Sequence, residues 1–252
     1  MRYAYFVLCL FAASSAVGQE RERLVANDIS VRTFLNFRVQ DAVVQKMLPA
    51  GWEVSSPASG PNKGFNLSVF LIDFQIVQDP EGKPLPARPT TALIIPAKKI
   101  GSEATVSIVQ SGFTAQPGTP GPYGVFTPAR VTVDRGSHTE TDGKAIIEEA
   151  WDMKADDGSA LEIQLQFARG ALAREKVEGK FYSATKPDFY RTYRYDQSAD
   201  VARSTAAGID RVTKFSFKVS GPKLAPLFDG SEQLISIISI PSFSRSIYLP
   251  AL

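Results

Sequence analysis

Hydrophobic and polar side chains alternate with a period of two over much of this chain, a pattern that is typical of β-strands. Within residues 29–39 the apolar side chains fall mainly on one face of an extended segment. Ser30, Arg32, Asn36 and Arg38 fall on the other face. This segment is therefore predicted to be a strand with one buried face and one face towards water.

A hairpin is predicted over residues 144–168, because two alternating segments flank the turn sequence Asp156-Asp157-Gly158. On the first of these strands Glu149 falls in the same register as Ile147 and Trp151. A carboxylate on an apolar strand face is a candidate acid or base. Alternatively, Glu149 forms a salt bridge with an inward-facing arginine, or a bulge turns it outwards. The sequence leaves these interpretations open.

The remaining pattern favours a mostly-β protein. A short helix is expected from Asp41 to Leu48, ending at Pro49, and residues 234–240 fit either a strand or a helix. Loops rich in proline and glycine separate the strands and show no domain boundary. We predict a single-domain antiparallel β-barrel or sandwich with a few short helices, extending over residues 19–252. The other predicted strands are 65–77, 91–95, 104–110, 130–134, 177–183, 190–195 and 212–219.

The N-terminus has the pattern of a secretory signal peptide. A basic start is followed by an apolar run at 3–13 and by small residues before Gln19. Cleavage after residue 18 would remove Cys9, the only cysteine, and no later run is long enough to span a membrane as a helix. We expect a periplasmic or secreted protein without stable membrane insertion after cleavage.

Composition and charge exclude several functions. The 28 Lys+Arg residues nearly balance the 26 Asp+Glu residues, which argues against a nucleic-acid partner. The chain has one His and one Cys and therefore few nitrogen or sulfur ligands for a metal, so neither a metal nor another cofactor is expected.

Lys98-Lys99 is the first candidate for chemistry. Adjacent ammonium groups disfavour each other's charged form, and a neutral lysine can form a Schiff base with a ketone. A solvated turn between two strands explains the same pair equally well. A second candidate is the aromatic and basic stretch at 189–195, where an arginine that faces a cavity could hold a substrate carboxylate.

Three segments resemble the acetoacetate decarboxylase-like superfamily. They are the strand, short helix and turn at 37–54, the hairpin at 144–168, and the segment 220–229 with its Gly-Pro and Leu-Phe-Asp pattern. The resemblance implies a closed, mostly antiparallel β structure with an internal pocket for a small keto acid. Family members are often oligomeric, so it also implies a homo-oligomer.

The family's catalytic lysine pair can be matched to this chain at two places. Lys98-Lys99-Ile100-Gly101 matches the family's lysine pair in sequence, which would make Lys98 the Schiff-base residue and Lys99 its activator. By position, however, the family's pair precedes the hairpin, and here Ala129 and Arg130 stand there. Arginine stays protonated and forms no imine.

Two functions follow from these alternatives. The first is an exported protein with a pocket for a small keto or carboxylic acid and Schiff-base lyase, or decarboxylase, chemistry at Lys98 and Lys99. The second is a non-catalytic small-molecule binding protein that has lost the catalytic lysine. In that case we expect Arg130, Glu149 and Tyr123 to bind the ligand.

Overall fold

The computed structural model describes residues 22–251. The predicted signal peptide and Cys9 lie outside the described residues, so the cleavage site and the limits of the domain stay predictions. Almost all described elements are strands. In chain order they are β1 (Glu22–Arg38), α1 (Asp41–Lys46), β2 (Trp52–Val54), β3 (Leu67–Gln78), β4 (Thr90–Lys99), β5 (Thr105–Thr114), β6 (Phe126–Thr139), β7 (Ala145–Ala155), β8 (Ala160–Ala168), β9 (Ala173–Ser183), β10 (Tyr190–Ser204), β11 (Ile209–Asp210), β12 (Val212–Ser220) and β13 (Gln233–Pro250).

Seven strands form a closed ring. Going round it, the order is β5, β9, β10, β13, β1, β3 and β4, and β4 pairs again with β5. All of these pairings are antiparallel except the one between β5 and β9. Strands β6, β7, β8 and β12 form a second, antiparallel sheet, which joins the ring where β6 runs parallel to the end of β5.

The main hydrophobic core lies between the outer face of the ring and the second sheet. Leu35 and Phe37 of β1 share one buried cluster with Trp151 of β7 and Ile163 of β8. The Thr33 hydroxyl donates to Glu149 on β7 at 2.8 and 2.9 Å, which fixes the outward-facing side of β1. Because side chains alternate along a strand, the even-numbered side chains of β1 face the inside of the ring.

This arrangement corrects the prediction for residues 29–39. Ser30, Arg32 and Asn36 were expected to face water, but each is at most 2% exposed. The strand has two buried faces because ring closure encloses the polar one. Ile29, expected in the core, is 45% exposed, since the second sheet does not cover this end of β1.

The mostly-β fold and the hairpin are confirmed. The hairpin is β7–β8, and its turn contains Gly158 at φ 85°, a left-handed conformation that glycine adopts without strain. The ambiguous segment 234–240 is part of strand β13. Within residues 22–251 no helix is long and apolar enough to cross a membrane.

Candidate functional site

The inside of the ring forms a cavity of about 450 Å³ that is partly open to solvent. This volume is in the range of small-molecule binding sites. Its walls are formed by inward-facing residues of all seven ring strands, by the β3–β4 and β5–β6 loops and by Phe126 at the start of β6. The lining side chains include Arg32, Phe70, Phe74, Leu85, Thr90, Ala92, Thr114, Gln116, Tyr123, Phe126, Arg191, Tyr193 and Arg245.

The charged groups in the wall of this cavity are all cationic. Among the described residues that line it there are three arginines, Arg32, Arg191 and Arg245, and no lysine, aspartate or glutamate. Buried arginines without counter-charges are costly, so the surroundings of these guanidinium groups decide what the cavity can bind.

Asp28 lies between two of the arginines. Arg32 donates from Nη2 to Asp28 Oδ1 at 3.0 Å, and from Nε to Ser30 Oγ at 2.8 Å. Arg245, which faces Asp28 across the β1–β13 pairing, donates from Nε to Asp28 Oδ2 at 2.7 Å. Asp28 and Arg32 are each 2% exposed, and Arg245 is 9% exposed. One buried carboxylate therefore serves two buried guanidinium groups.

The electrostatics reflect this imbalance. Burial, followed by the charge of Arg245, lowers the pKa of Arg32 to about 9. Burial also opposes the charged form of Arg245, but Asp28 and the neighbouring Tyr193 and Tyr123 together outweigh it and raise the pKa of Arg245 above its usual value. Both arginines are thus cationic at neutral pH. Together with the Asp28 carboxylate they carry one net positive charge. An anion in the cavity would neutralise this excess.

Aromatic rings hold the guanidinium groups in place. Arg32 Cζ lies 3.4 Å from the centroid of the Phe243 ring, and Arg245 Cζ lies 4.1 Å from the centroid of the Tyr193 ring. Such stacking favours a fixed guanidinium orientation and leaves its edge available for hydrogen bonds.

Two buried tyrosines add neutral polar groups beside the arginines. The Tyr123 and Tyr193 hydroxyl oxygens lie 2.5 Å apart. Burial, followed by the proximity of Tyr193, holds the pKa of Tyr123 well above its usual value. Tyr123 therefore keeps its proton. One hydroxyl of the pair donates to the other, and the second is left to donate to an oxygen atom in the cavity. The structure places Tyr123 in the cavity wall, and its predicted role in ligand binding stays a prediction.

Arg191 has an unused donor. Its Nε is buried and has no hydrogen-bond partner within the described part of the chain, and its Cζ lies 5.9 Å from the Tyr123 ring centroid. Within the stretch 189–195, Arg191 and Tyr193 line the cavity, whereas Arg194 faces outwards and pairs with Glu22 and Glu178.

Lys98 and Lys99 do not line the cavity. They end β4, and Lys98 lies four residues beyond Ile94, the last β4 residue in the cavity wall, or about 13 Å along the strand. Lys98 Nζ lies 3.5 Å from Glu53 Oε1 and 3.7 Å from Glu103 Oε2. Lys99 Nζ lies 5.5 Å from the Trp52 ring centroid, outside the cavity. Their catalytic role stays a prediction that this placement does not support.

Arg130 is exposed on β6 and is not part of the cavity wall. Its neighbours Ala129 and Val131 pack against the main core, so the period of two turns Arg130 towards water. Contrary to the prediction, the structure therefore does not bring Arg130 and Tyr123 together.

Glu149 is buried on the other side of the ring wall from the cavity. It accepts hydrogen bonds from Thr33 and from Trp151 Nε1, the latter at 3.3 Å, and pairs with Arg135 at 3.4 Å. Arg135 in turn binds Asp73 at 2.8 Å. Of the interpretations of Glu149, the salt bridge with an inward-facing arginine matches these contacts.

The sequence reasoning missed Asp28, Arg32 and Arg245. A signal was present, because the polar residues Asp28, Ser30 and Arg32 recur at a period of two and alternate with the apolar Ile29 and Val31. Such a polar row is typical either of a solvated strand face or of an enclosed polar site, and only ring closure distinguishes the two.

No protein-family model and no curated relative matches the sequence. Solved structures do match the fold. An acetoacetate decarboxylase-like enzyme from Sphingomonas wittichii RW1 matches at a TM-score of 0.53 and 13% identity, over 91% of this chain and 94% of that one. The enduracididine biosynthesis enzyme MppR with HEPES buffer bound matches at a TM-score of 0.54 and 8% identity, over 90% and 86% of the two chains.

A second structure of MppR, complexed with the condensation product of pyruvate and imidazole 4-carboxaldehyde, matches at a TM-score of 0.52 and 10% identity. It covers 90% of this chain and 87% of that chain. At these identities the likeness concerns the fold. The chain has the fold of acetoacetate decarboxylase-like enzymes.

Proposed function

We propose that this protein binds a small organic carboxylate or keto acid non-covalently in the cavity of the strand ring. The observation that carries the proposal is the cluster of Arg32, Asp28 and Arg245, in which two buried guanidinium groups share one carboxylate. A ligand carboxylate would supply the missing negative charge and accept charge-assisted hydrogen bonds, which are the stronger class of hydrogen bond.

The neutral groups of the cavity fit the same class of ligand. The Tyr123 and Tyr193 hydroxyls lie together in the wall and offer a donor to a ketone or carboxylate oxygen. Arg191 Nε is a further buried donor without a partner in the described residues. The structural neighbour MppR has been captured with a product of pyruvate, which makes a keto acid a sensible first probe.

Non-covalent binding is favoured over Schiff-base catalysis because the described cavity wall contains no lysine. An imine needs a neutral amine within bonding distance of the ligand carbonyl. Lys98 instead contacts Glu53 and Glu103, away from the cavity.

Calorimetric titration tests the proposal. Benzoate, pyruvate and acetoacetate should bind to the wild-type protein, and neutral benzamide should bind much more weakly than benzoate. Arg245→Met leaves Asp28 paired with Arg32 and removes the excess charge, so it should weaken benzoate binding at least tenfold. The matched control is Arg174→Met, which removes an exposed arginine that pairs with Asp196, and it should not change the affinity.

Borohydride reduction in the presence of acetoacetate or pyruvate separates the two functions. We expect no mass increase on any lysine. An adduct on Lys98 would replace the binding function with a Schiff-base lyase. Equal benzoate affinity in the wild type and in Arg245→Met would refute the proposed site.

We further propose that the protein is exported and that residues 1–18 are removed. The support is the apolar run at 3–13 and the small residues that follow it. N-terminal sequencing of the protein from a bacterial periplasmic fraction should begin at Gln19. Recovery of the chain only from the cytoplasm, with Met1 or Arg2 at its start, would refute the proposal.

A further inference from the structure

The cavity is much larger than pyruvate or acetoacetate. Its volume of about 450 Å³ would hold roughly 15 water-sized groups, about twice the number of non-hydrogen atoms in acetoacetate. A small keto acid alone would leave a large part of the apolar lining in contact with water. A ligand that fills the cavity would bury that lining and gain hydrophobic free energy.

The two sides of the cavity differ in chemistry. Its charged groups come from β1, β10 and β13, which carry Arg32, Arg191 and Arg245 respectively. The wall made by β3 and β4 presents mainly apolar side chains, including Phe70 and Phe74. The cavity thus has a charged side and an apolar side.

Two of the three threonine hydroxyls on the apolar side, and the glutamine amide there, already have partners. The Thr90 and Thr114 hydroxyls lie 2.6 Å from each other. The Gln116 side chain donates to the carbonyl of Arg88 at 3.2 Å. These groups are committed to their neighbours, so this side offers no charge and few free hydrogen bonds to a second polar end of a ligand.

We propose that the ligand is an amphipathic monocarboxylate, with an aliphatic or aromatic body of about medium-chain fatty-acid or phenylalkanoic-acid size. This inference rests on the proposed function and adds the size and polarity of the ligand. The carboxylate binds at Arg32 and Arg245, and the body packs against Phe70, Phe74 and Phe126. A second carboxylate on the apolar side would lose its hydration without gaining a partner there.

A homologous series of ligands tests this inference. Affinity should rise about threefold to fourfold for each methylene added from butyrate to octanoate, because each methylene leaves water. 4-Phenylbutyrate should bind with an affinity similar to that of octanoate. Octanamide and the dicarboxylate suberate should both bind at least tenfold more weakly than octanoate. Octanamide lacks the negative charge, and suberate has a second carboxylate that finds no partner on the apolar side.

Two cavity variants locate the body of the ligand. Leu85 lines the cavity from the β3–β4 loop and is 39% exposed, so Leu85→Ser should fold normally and reduce the ratio of octanoate to butyrate affinity. Leu172→Ser is the matched control, since Leu172 is 46% exposed and is not part of the cavity wall. Ala92→Leu fills part of the cavity and should reduce the same ratio further.

The outcomes separate this inference from the proposed function. If butyrate and benzoate bind and depend on Arg245, but affinity stays flat from butyrate to octanoate, the amphipathic ligand is refuted and the carboxylate site stands. Suberate binding as tightly as octanoate would also refute it and would indicate a dicarboxylate held by Arg191. If no carboxylate binds at all, both the site and the inference fail.

Discussion

Asp28 is the residue on which the candidate site depends. Burying an arginine costs a large desolvation free energy, and here two buried arginines share a single carboxylate as their counter-charge. The lowered pKa of Arg32, about 9, has the same origin, because burial and the charge of Arg245 both oppose its proton. The protein therefore keeps an unbalanced positive charge at the site at a cost in stability, which is a pattern typical of functional sites.

The first prediction concerns the shared carboxylate. Asp28→Asn leaves two buried guanidinium groups without a counter-charge, and we expect it to lower the free energy of unfolding by about 3 kcal/mol. Arg245→Met should cost less, since Asp28 keeps its bonds to Arg32 and Ser30. Urea denaturation monitored by tryptophan fluorescence measures both.

The double variant Asp28→Asn/Arg245→Met provides the control. One of the two unpaired cations is gone in this protein, so its loss of stability should be smaller than the sum of the two single losses. A strictly additive result would show that Asp28 and Arg245 do not interact energetically.

Among the elements, the β7–β8 hairpin could be predicted and the environment of β1 could not. The hairpin follows from contacts between residues close in sequence, because an Asp-Gly turn and two alternating strands specify it locally. The burial of Arg32 depends on β13, which is distant in sequence and closes the ring over the polar face of β1. Periodicity gives the two faces of a strand but does not say what covers each.

The candidate site, like the strands, could be predicted only in part. The stretch 189–195 pointed to an arginine in a cavity, and Arg191 lies there because alternation along β10 turns it inwards with Tyr193. Lys98-Lys99 matches the family's lysine pair in sequence, but it lies at the end of β4, beyond the cavity. A match of residue types carries no information on how far along a strand the site lies.

A second prediction belongs to β7, where adjacent glutamates point to opposite faces. Glu149→Gln should lower the free energy of unfolding by about 2–3 kcal/mol, because the buried carboxylate that binds Thr33, Trp151 and Arg135 loses its charge. Glu148→Gln is the matched control on the exposed face, and its effect should stay within about 0.5 kcal/mol.

Calorimetry with benzoate completes this test. Neither variant should change the affinity, since Glu149 of β7 contacts the outer face of the ring and Glu148 is exposed. A large loss of benzoate affinity in Glu149→Gln, with the fold intact, would return Glu149 to the ligand-binding role expected from the sequence.

At the scale of the whole molecule, the cavity exists because the two ends of the described chain meet. β1 and β13 pair from Glu22 with Pro250 to Arg38 with Gln233, and this contact closes the ring. Every charged wall residue lies on β1, β13 or the neighbouring β10. A bound carboxylate therefore links the three strands that close the ring. Apart from Phe126 at the start of β6, the second sheet contacts only the outer face of the ring.

Hydrogen exchange measured with and without benzoate tests this coupling. A ligand present at about 100 times its Kd stabilises the bound state by about 2.7 kcal/mol, so amides that exchange through opening of the ring should slow by up to about 100-fold. We expect this protection in β1, β10 and β13 and in the β3–β4 loop. Amides of β8 and β12 should slow much less, because the edge of the second sheet can open while the ring stays closed.

Arg245→Met under the same benzoate concentration should lose most of the protection in the ring, which ties it to the charged site. Uniform protection of both sheets in the wild type would mean that ring and second sheet open as one cooperative unit. In that case the main core between them, which contains Leu35 and Trp151, would control the exposure of the cavity. Protection confined to the second sheet would place the ligand outside the ring altogether.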